Sequence, residues 1–122
     1  MILADTSIWI DHFRADDKLL REQLIQGQIA THPFVIGELA LGSLPQRART
    51  LKYLERLPCL QSARMEEVMQ MIEGRSLYGR GIGLMDAHLI ASILISQPAM
   101  LWTRDRRLRE VAGDMGIHVN FP

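Results

Sequence analysis

Short apolar segments alternate with segments of helical periodicity along this chain, and this alternation sharply limits the folds open to it. Residues 2–4, 28–31, 99–103 and 117–120 are predicted to form strands. Helices are predicted at residues 8–14, 17–26, 33–41, 46–57, 64–77, 86–96 and 106–112. Short apolar strands separated by helices favour a parallel sheet covered on both faces, so the predicted fold class is α/β.

Bulk properties narrow the class of protein. The 122 residues fit a single compact domain spanning 1–122, and 48% of them are hydrophobic, enough for a substantial core. A net charge of +0 gives no overall attraction to nucleic acids or acidic membranes, although it permits a local basic patch. The start of the chain does not resemble a signal peptide, and no apolar run approaches the roughly 20 residues that span a bilayer. A cytoplasmic protein without membrane contact is therefore expected.

The cysteine content excludes two kinds of site. Cys59 is the only cysteine, so the chain has no internal disulfide and no cysteine-based zinc site. Its thiol is predicted to be a small buried hydrophobe rather than a nucleophile.

Four isolated acidic residues lie beside or inside apolar runs. Asp5 follows the first strand, and Glu38 interrupts an apolar helix. Asp86 begins another apolar helix, and Asp105 follows Met100-Leu101-Trp102. A buried, unpaired carboxylate is costly, and these runs contain no basic residue to neutralise one. The simplest partner is therefore a hard divalent cation, which binds oxygen ligands.

The predicted elements bring these acids together. Asp5 and Asp105 each lie just past the carboxyl end of a strand, at the edge where open α/β sheets bind ligands. Asp86 and Glu38 are spaced three to four residues from apolar neighbours on their helices, which predicts that both face the core. Carboxylates that hold one or two Mg²⁺ or Mn²⁺ ions at such an edge suit phosphodiester hydrolysis.

Each acid also has a simpler interpretation. Asp5, Asp86 and Asp105 can cap the helices that follow them, and Glu38 can be an ordinary exposed helix residue. Ser7 is an alternative cap for the first helix. Capping is compatible with metal binding, because a capping carboxylate can also face a ligand.

Hydroxyl and guanidinium groups accompany the acids. Ser7 and Thr103 are either turn hydroxyls or groups that orient a carboxylate or metal-bound water. A basic run surrounds Asp105 and is either a solvated helix face or a set of groups that hold phosphates beside the acids: Arg104, Arg106, Arg107 and Arg109. Because twelve of the fourteen basic residues are arginine, bidentate phosphate contacts are favoured. The four histidines lack metal-ligand spacing and are predicted to be structural or on the surface: His12, His32, His88 and His118.

Taken in order, these motifs resemble a known family. Asp5-Thr6-Ser7, Glu38 within an apolar helix, Asp86-Ala87, and Thr103-Arg104-Asp105 resemble PIN-domain ribonucleases, and most closely the VapC toxins of toxin–antitoxin pairs. The resemblance covers essentially the whole chain. It implies a three-layer α/β/α fold, a Mg²⁺- or Mn²⁺-dependent endoribonuclease, a homodimer, and inhibition by a cognate VapB-type antitoxin.

The resemblance also assigns residues to roles. It implies a catalytic quartet of Asp5, Glu38, Asp86 and Asp105, with Asp5, Asp86 and Asp105 as metal ligands and with Ser7 and Thr103 in support. Asp105 is followed by Arg106-Arg107-Leu108, where many relatives carry another acid or an aromatic residue. The antitoxin groove and the dimer contact are expected to share the leucines of the helices between residues 11 and 57: Leu19, Leu20, Leu24, Leu51 and Leu54.

Two other classes remain open from the residues alone. One is a catalytically silent PIN-like module that binds RNA or protein, which the loss of a quartet acid would favour. The other is a phosphotransfer domain or phosphatase with an acidic pocket. Asp5-Thr6-Ser7 is not the Asp-x-Asp pair of such phosphatases, and no lysine lies near Thr103.

Overall fold

A computed structural model describes residues 1–122, which form three strands and seven helices. The strands are β1 (Ile2–Ala4), β2 (Ile29–Ala30) and β3 (Met100–Trp102). The helices are α1 (Thr6–Ala15), α2 (Lys18–Ile25), α3 (Pro33–Ala40), α4 (Arg47–Arg56), α5 (Met65–Gly74), α6 (Leu84–Ile95) and α7 (Arg106–Asp114). The predicted α/β class and its parallel sheet are confirmed.

The sheet has the order β2-β1-β3, and both pairings are parallel. Ile2 is in register with Ile29 on one side and with Met100 on the other. Leu3, in the central strand, is completely buried. The carboxyl ends of β1 and β3 therefore lie side by side, and the residues that follow them share one edge of the sheet.

The predicted fourth strand at residues 117–120 is wrong as a regular strand. His118 forms a single parallel bridge with Leu101, supported by hydrogen bonds from Leu101 N to Ile117 O (2.8 Å) and from Val119 N to Leu101 O (2.9 Å). Beyond this point, the Phe121 carbonyl accepts a hydrogen bond from Nη2 of Arg109 (2.7 Å).

Cys59 is exposed, so its predicted burial is also wrong. It forms an isolated parallel bridge with Thr31 at the outer edge of the sheet, beyond β2. No further strand covers it there. Trp9 and Trp102 are the largest side chains of the core, and both are fully buried.

Two helix boundaries differ from prediction for local reasons. Helix α6 begins at Leu84, two residues before Asp86, because Gly83 takes the cap position and its N–H donates to Asp86 Oδ2 (3.3 Å). Helix α5 ends at Gly74 rather than at residue 77, because Ser76 adopts a left-handed conformation with φ of 52°. No helix combines the length and apolarity needed to cross a membrane.

Candidate functional site

Asp5 is a buried carboxylate at the junction of β1 and α1. Its side chain caps α1: Oδ1 accepts from the N–H of Ser7 (2.9 Å) and from Ser7 Oγ (2.5 Å). Oδ2 accepts from Thr103 Oγ1 (2.6 Å), and only 3% of the residue is exposed. All three donors are neutral, and Asp5 takes part in no ion pair. Burial raises the pKa of this carboxyl above its usual value despite the hydrogen bonds.

Ser7 and Thr103 connect the ends of the two strands. Ser7 Oγ accepts a hydrogen bond from the backbone N–H of Arg104 (2.9 Å), and Thr103 Oγ1 accepts one from the N–H of Asp105 (3.1 Å). The two hydroxyls thus bond both to the Asp5 carboxylate and to the segment that carries Asp105. Their predicted place beside the acids agrees with this geometry.

Asp86 lies in the first turn of α6 and is half-buried. Burial raises the pKa of its carboxyl, and the negative charges of Asp105 and Asp5 raise it further. Asp86 therefore lies close enough to Asp5 and to Asp105 to be affected by both negative charges.

Asp105 caps α7, with Oδ1 accepting from the N–H of Leu108 (3.0 Å), and its side chain is exposed. Asp5 and Asp105 thus both act as caps, as the simpler interpretation predicted. Because both residues lie at the same edge of the sheet, a capping carboxylate there can also face a ligand.

Glu38 does not face the core, contrary to prediction. Helix α3 buries Val35 and Leu39, and Glu38 lies on the exposed side with Phe34 and Leu41. Its spacing from Phe34 was misleading because Phe34 is itself 40% exposed. Glu38 lines a shallow pocket whose other members include Leu84 and Met85, the residues just before Asp86.

The three arginines proposed for RNA differ in availability. Arg104 is engaged within the protein: its guanidinium pairs with Asp11 Oδ2 (2.8 Å) and Asp17 Oδ2 (2.6 Å). The sequence predicted a phosphate contact for Arg104, and the structure shows its guanidinium paired with these two acids. Arg106 and Arg107 are exposed and form no ion pair, although Arg107 lies against Gly81, where a Cβ would come within 2.5 Å of Nη1.

The donor set fits a hard divalent metal ion, although no preformed cage exists. No group of three histidine, cysteine, aspartate or glutamate side chains is arranged closely enough to hold a metal ion. The chemistry nevertheless fits, because Asp5 is a buried carboxylate with only neutral donors around it, and Asp86 senses the charges of Asp5 and Asp105. The exposed Asp105 side chain and the half-buried Asp86 side chain would turn toward Asp5 to complete a ligand set.

Several contacts that shape the site were missed by sequence reasoning. His118 Nε2 accepts the N–H of Thr103 (3.1 Å), while Arg109 Nη1 donates to the Thr103 carbonyl (3.2 Å). Asp11 and Asp17 bind Arg104 from other helices. No local pattern reveals these contacts, because the partners are separated by up to 93 residues in sequence.

Comparisons with known proteins agree with this geometry. The family model described as PIN domain matches residues 2–114. Ribonuclease VapC32 of Mycobacterium tuberculosis, in strains CDC 1551 / Oshkosh and ATCC 25618 / H37Rv, is 44% identical over 117 residues, covering 96% of this chain and 94% of the relative.

Two solved structures share the fold. DNA-bound VapBC from Salmonella typhimurium matches with a TM-score of 0.69 and 20% identity, covering 89% of each chain. VapBC-1 from nontypeable Haemophilus influenzae also matches with a TM-score of 0.69, with 24% identity over 93% of this chain and 94% of the other. At these identities the structural matches support the three-layer α/β/α fold.

Proposed function

This chain belongs to the PIN-domain family and, within it, to the VapC ribonucleases, and from that premise we propose that it is a toxin that hydrolyses RNA with Mg²⁺ or Mn²⁺. The observation that carries the metal requirement is Asp5, a buried carboxylate whose hydrogen bonds all come from neutral donors. A cation supplied from outside the chain would balance its charge and relieve its repulsion with Asp86. The single PIN domain spanning 1–122 and the cytoplasmic location are parts of the same proposal.

Each site residue has a role in this proposal. Asp5, Asp86 and Asp105 would hold the ion, which when bound activates water and stabilises charge on the phosphate and the leaving oxygen. Ser7 and Thr103 fix the orientation of the Asp5 carboxylate through the hydrogen bonds they donate. Glu38 completes the catalytic quartet from the rim, where its exposed carboxylate can turn toward the start of α6.

Arg106 and Arg107 are the proposed RNA contacts. Both lie in the first turn of α7, next to Asp105, and both are exposed without an acidic partner. Guanidinium groups bind phosphate oxygens in a bidentate manner, so these side chains would hold the RNA backbone beside the acids. The proposal leaves Arg104 out of this role, because its guanidinium pairs with Asp11 and Asp17.

Chelation tests the proposed metal requirement. We expect RNA cleavage by purified protein to stop in excess EDTA and to return when Mg²⁺ or Mn²⁺ is added in excess of the chelator. RNA fragments are followed by gel electrophoresis, with folding monitored by circular dichroism in the same buffers. Cleavage that continues at full rate in EDTA would contradict the proposal, and so would the absence of cleavage of all structured and unstructured RNAs tried.

The proposed antitoxin surface is a groove between α1, α2 and α4. It measures about 570 Å³, and its apolar lining includes Trp9, Phe13, Leu24 and Tyr53. Trp9 Nε1 is buried there without a hydrogen-bond partner. Two of the leucines predicted for this surface, Leu20 and Leu54, are instead fully buried in the toxin's own core, a correction to that prediction. An amphipathic antitoxin helix suits the groove that remains.

Homodimerisation is proposed to use a different apolar surface, around the start of α6 and the exposed side of α3. Phe34, Leu41 and Leu84 are exposed there by 40%, 84% and 52% of their areas. Burying exposed leucines and aromatic rings of this kind is favourable, so a second copy is the proposed cover.

Co-expression tests the antitoxin proposal. The small protein encoded beside this gene should rescue growth and purify as a complex with the toxin. Its tail is proposed to place a basic side chain among Asp5, Asp86 and Asp105, in competition with the metal. Replacing that arginine or lysine should therefore weaken inhibition more than binding, measured by RNA cleavage and by calorimetry. Unchanged inhibition by the replaced tail would rule out the plugged-site arrangement.

A further inference from the structure

We propose that Arg104 is a positioning residue for the acidic site, holding the segment 103–105 against Asp5 without contacting RNA. This inference rests on the proposed ribonuclease function. Arg104 is one of the basic residues nearest to the acids in sequence, and it would ordinarily be assigned to the RNA backbone. Its contacts assign it to the protein instead.

Each of the three nitrogens of the Arg104 guanidinium donates a hydrogen bond within the protein. Nη1 donates to Asp11 Oδ2 in α1 (2.8 Å), and Nη2 donates to Asp17 Oδ2 at the cap of α2 (2.6 Å). Nε donates to the carbonyl of Pro122 (3.1 Å). The group also lies 5.5 Å from the centre of the Trp102 ring. Two helices, the last residue of the chain and β3 thus meet at one side chain.

Charge supports the same assignment. Two carboxylates face one guanidinium, so the cluster of Arg104, Asp11 and Asp17 carries a net negative charge. An RNA phosphate approaching this cluster would meet acidic groups and a cation that is already neutralised. Arg106 has no such partners and remains available to phosphate.

The backbone of Arg104 connects its ion pairs with Asp11 and Asp17 to the acidic site. Its N–H donates to Ser7 Oγ, which in turn donates to Asp5 Oδ1. On one side Thr103 donates to Asp5 Oδ2, and on the other Asp105 is itself a proposed metal ligand. Anchoring the side chain of Arg104 therefore fixes the positions of three groups that contact or flank the Asp5 carboxylate. A site of this kind loses rate steeply when its groups shift by about 1 Å.

The experiment compares Arg104→Gln with the double variant Asp11→Asn/Asp17→Asn, with Arg106→Gln as the matched control. Asparagine at residue 17 retains an oxygen to cap α2. Three quantities are measured for each protein: the dissociation constant for a short RNA in EDTA at several salt concentrations, the Mn²⁺ affinity by calorimetry, and the rate of cleavage with saturating Mn²⁺.

Opposite patterns are expected for the two arginines. Arg104→Gln should lower kcat about 10- to 100-fold and weaken Mn²⁺ binding, with RNA affinity and its salt dependence within about twofold of wild type. Arg106→Gln should weaken RNA binding and reduce the salt slope by about one ion contact, with Mn²⁺ affinity unchanged. Arg104→Lys, which keeps the charge but cannot bridge both aspartates, should give an intermediate kcat.

The double variant distinguishes the two roles of Arg104, because they predict different changes in kcat and in RNA binding. If Arg104 acts through its ion pairs with Asp11 and Asp17, Asp11→Asn/Asp17→Asn reproduces the loss in kcat. Adding Arg104→Gln to this double variant then lowers kcat little further. If Arg104 instead serves RNA, releasing it from both acids adds a phosphate contact, so the salt slope of RNA binding steepens by about one ion contact in the double variant and returns to the wild-type slope when Arg104→Gln is added; that result would overturn the inference. Equal losses of RNA affinity in Arg104→Gln and Arg106→Gln would overturn it as well.

Folding and function have separate readouts in this design. Only variants with a cooperative unfolding transition and a wild-type circular dichroism spectrum are compared. Arg104→Lys replaces Arg104→Gln if Arg104→Gln does not fold. Wild-type protein that fails to cleave any RNA with Mn²⁺ would refute the ribonuclease proposal. The Mn²⁺ and RNA affinities would still decide the role of Arg104.

Discussion

Asp5→Asn is expected to reduce RNA cleavage by a factor on the order of a thousand or more while leaving the folded protein at least as stable as the wild type at pH 7. Activity falls because asparagine removes the charge that would hold the metal ion. Stability does not fall, because the wild-type carboxylate is buried and has no cationic partner. Asparagine keeps the shape of the side chain, and its amide can still bond to the Ser7 and Thr103 hydroxyls.

The raised pKa of Asp5 determines the pH range in which Asp5→Asn is more stable than wild type. Burial raises the pKa of Asp5 in the folded protein above the ordinary value of 3.8. Between 3.8 and the raised value the folded state binds more protons than the unfolded state, so stability decreases as the pH rises through this window. Asp5→Asn removes that loss. Its advantage over wild type should therefore be present at neutral pH and should disappear below about pH 3.8.

Urea unfolding at pH 7 and at pH 3.5, together with cleavage assays, measures both effects. Asp86→Asn should behave in the same direction, because burial and the charges of Asp105 and Asp5 raise the pKa of Asp86. Glu110→Gln, which alters an exposed acid on α7 without an ion pair, is the control and should change neither quantity. A marked loss of stability in Asp5→Asn would contradict the prediction, because asparagine keeps the helix cap and the loss would show that the charged carboxylate itself stabilises the fold.

The parts of the fold that sequence predicts well are those decided by local patterns. Residues 2–4 are apolar and followed by a polar cap, so both β1 and the start of α1 follow from neighbouring residues. Pro33 marks the first residue of α3 in the structure as it does in the sequence. The positions of Asp5 and Asp105 at adjacent strand ends follow from parallel pairing alone.

The parts that failed depend on which side of an element meets another element. Periodicity placed Glu38 beside Phe34 correctly, but only the packing of α3 shows that this side faces solvent and that Val35 and Leu39 face the core. The segment 117–120 has the composition of a strand, yet the structure gives it one bridge to Leu101. Edge positions of this kind are decided by long-range contacts.

The role of Arg104 is also invisible in sequence. A run of arginines beside an acid indicates a phosphate contact, and nothing near residue 104 indicates that Asp11 and Asp17 approach it. Those partners lie 93 and 87 residues away. Charge patterns therefore predicted which residues gather at the site, while the ion pairs of Arg104 with Asp11 and Asp17 became visible only in the structure.

His32 is expected to make the protein sensitive to mild acid. It is completely buried at the start of α3, where Nδ1 accepts the N–H of Phe34 (3.0 Å) and Nε2 lies 2.9 Å from Ser92 Oγ in α6. Because Nδ1 accepts a hydrogen bond, the neutral ring carries its proton on Nε2 and donates it to Ser92. A second proton on Nδ1 would break the cap of α3.

The pKa of His32 fixes the pH range of this effect. Burial, with a smaller contribution from the charge of His88, lowers the pKa from 6.5 to about 4. Between pH 6.5 and 4 the unfolded chain therefore binds a proton that the folded protein does not bind. The free energy of unfolding falls as the pH drops through this range. At about 1.4 kcal/mol per pKa unit, the loss amounts to roughly 3 kcal/mol at pH 4.

His32→Asn separates this titration from all others, because asparagine is a good helix cap and does not titrate in this range. The free energy of unfolding in urea should depend less steeply on pH in His32→Asn than in wild type, with the curves converging by roughly 3 kcal/mol between pH 7 and 4. Ser92→Ala, the matched control, should lower stability at every pH but keep the wild-type slope, since it removes the acceptor and leaves the imidazole. Asp5 and Asp86 contribute equally to all three proteins and cancel in the differences. Parallel curves for wild type and His32→Asn would show that the buried ring is not the acid-sensitive link between α3, which carries Glu38, and α6, which carries Asp86.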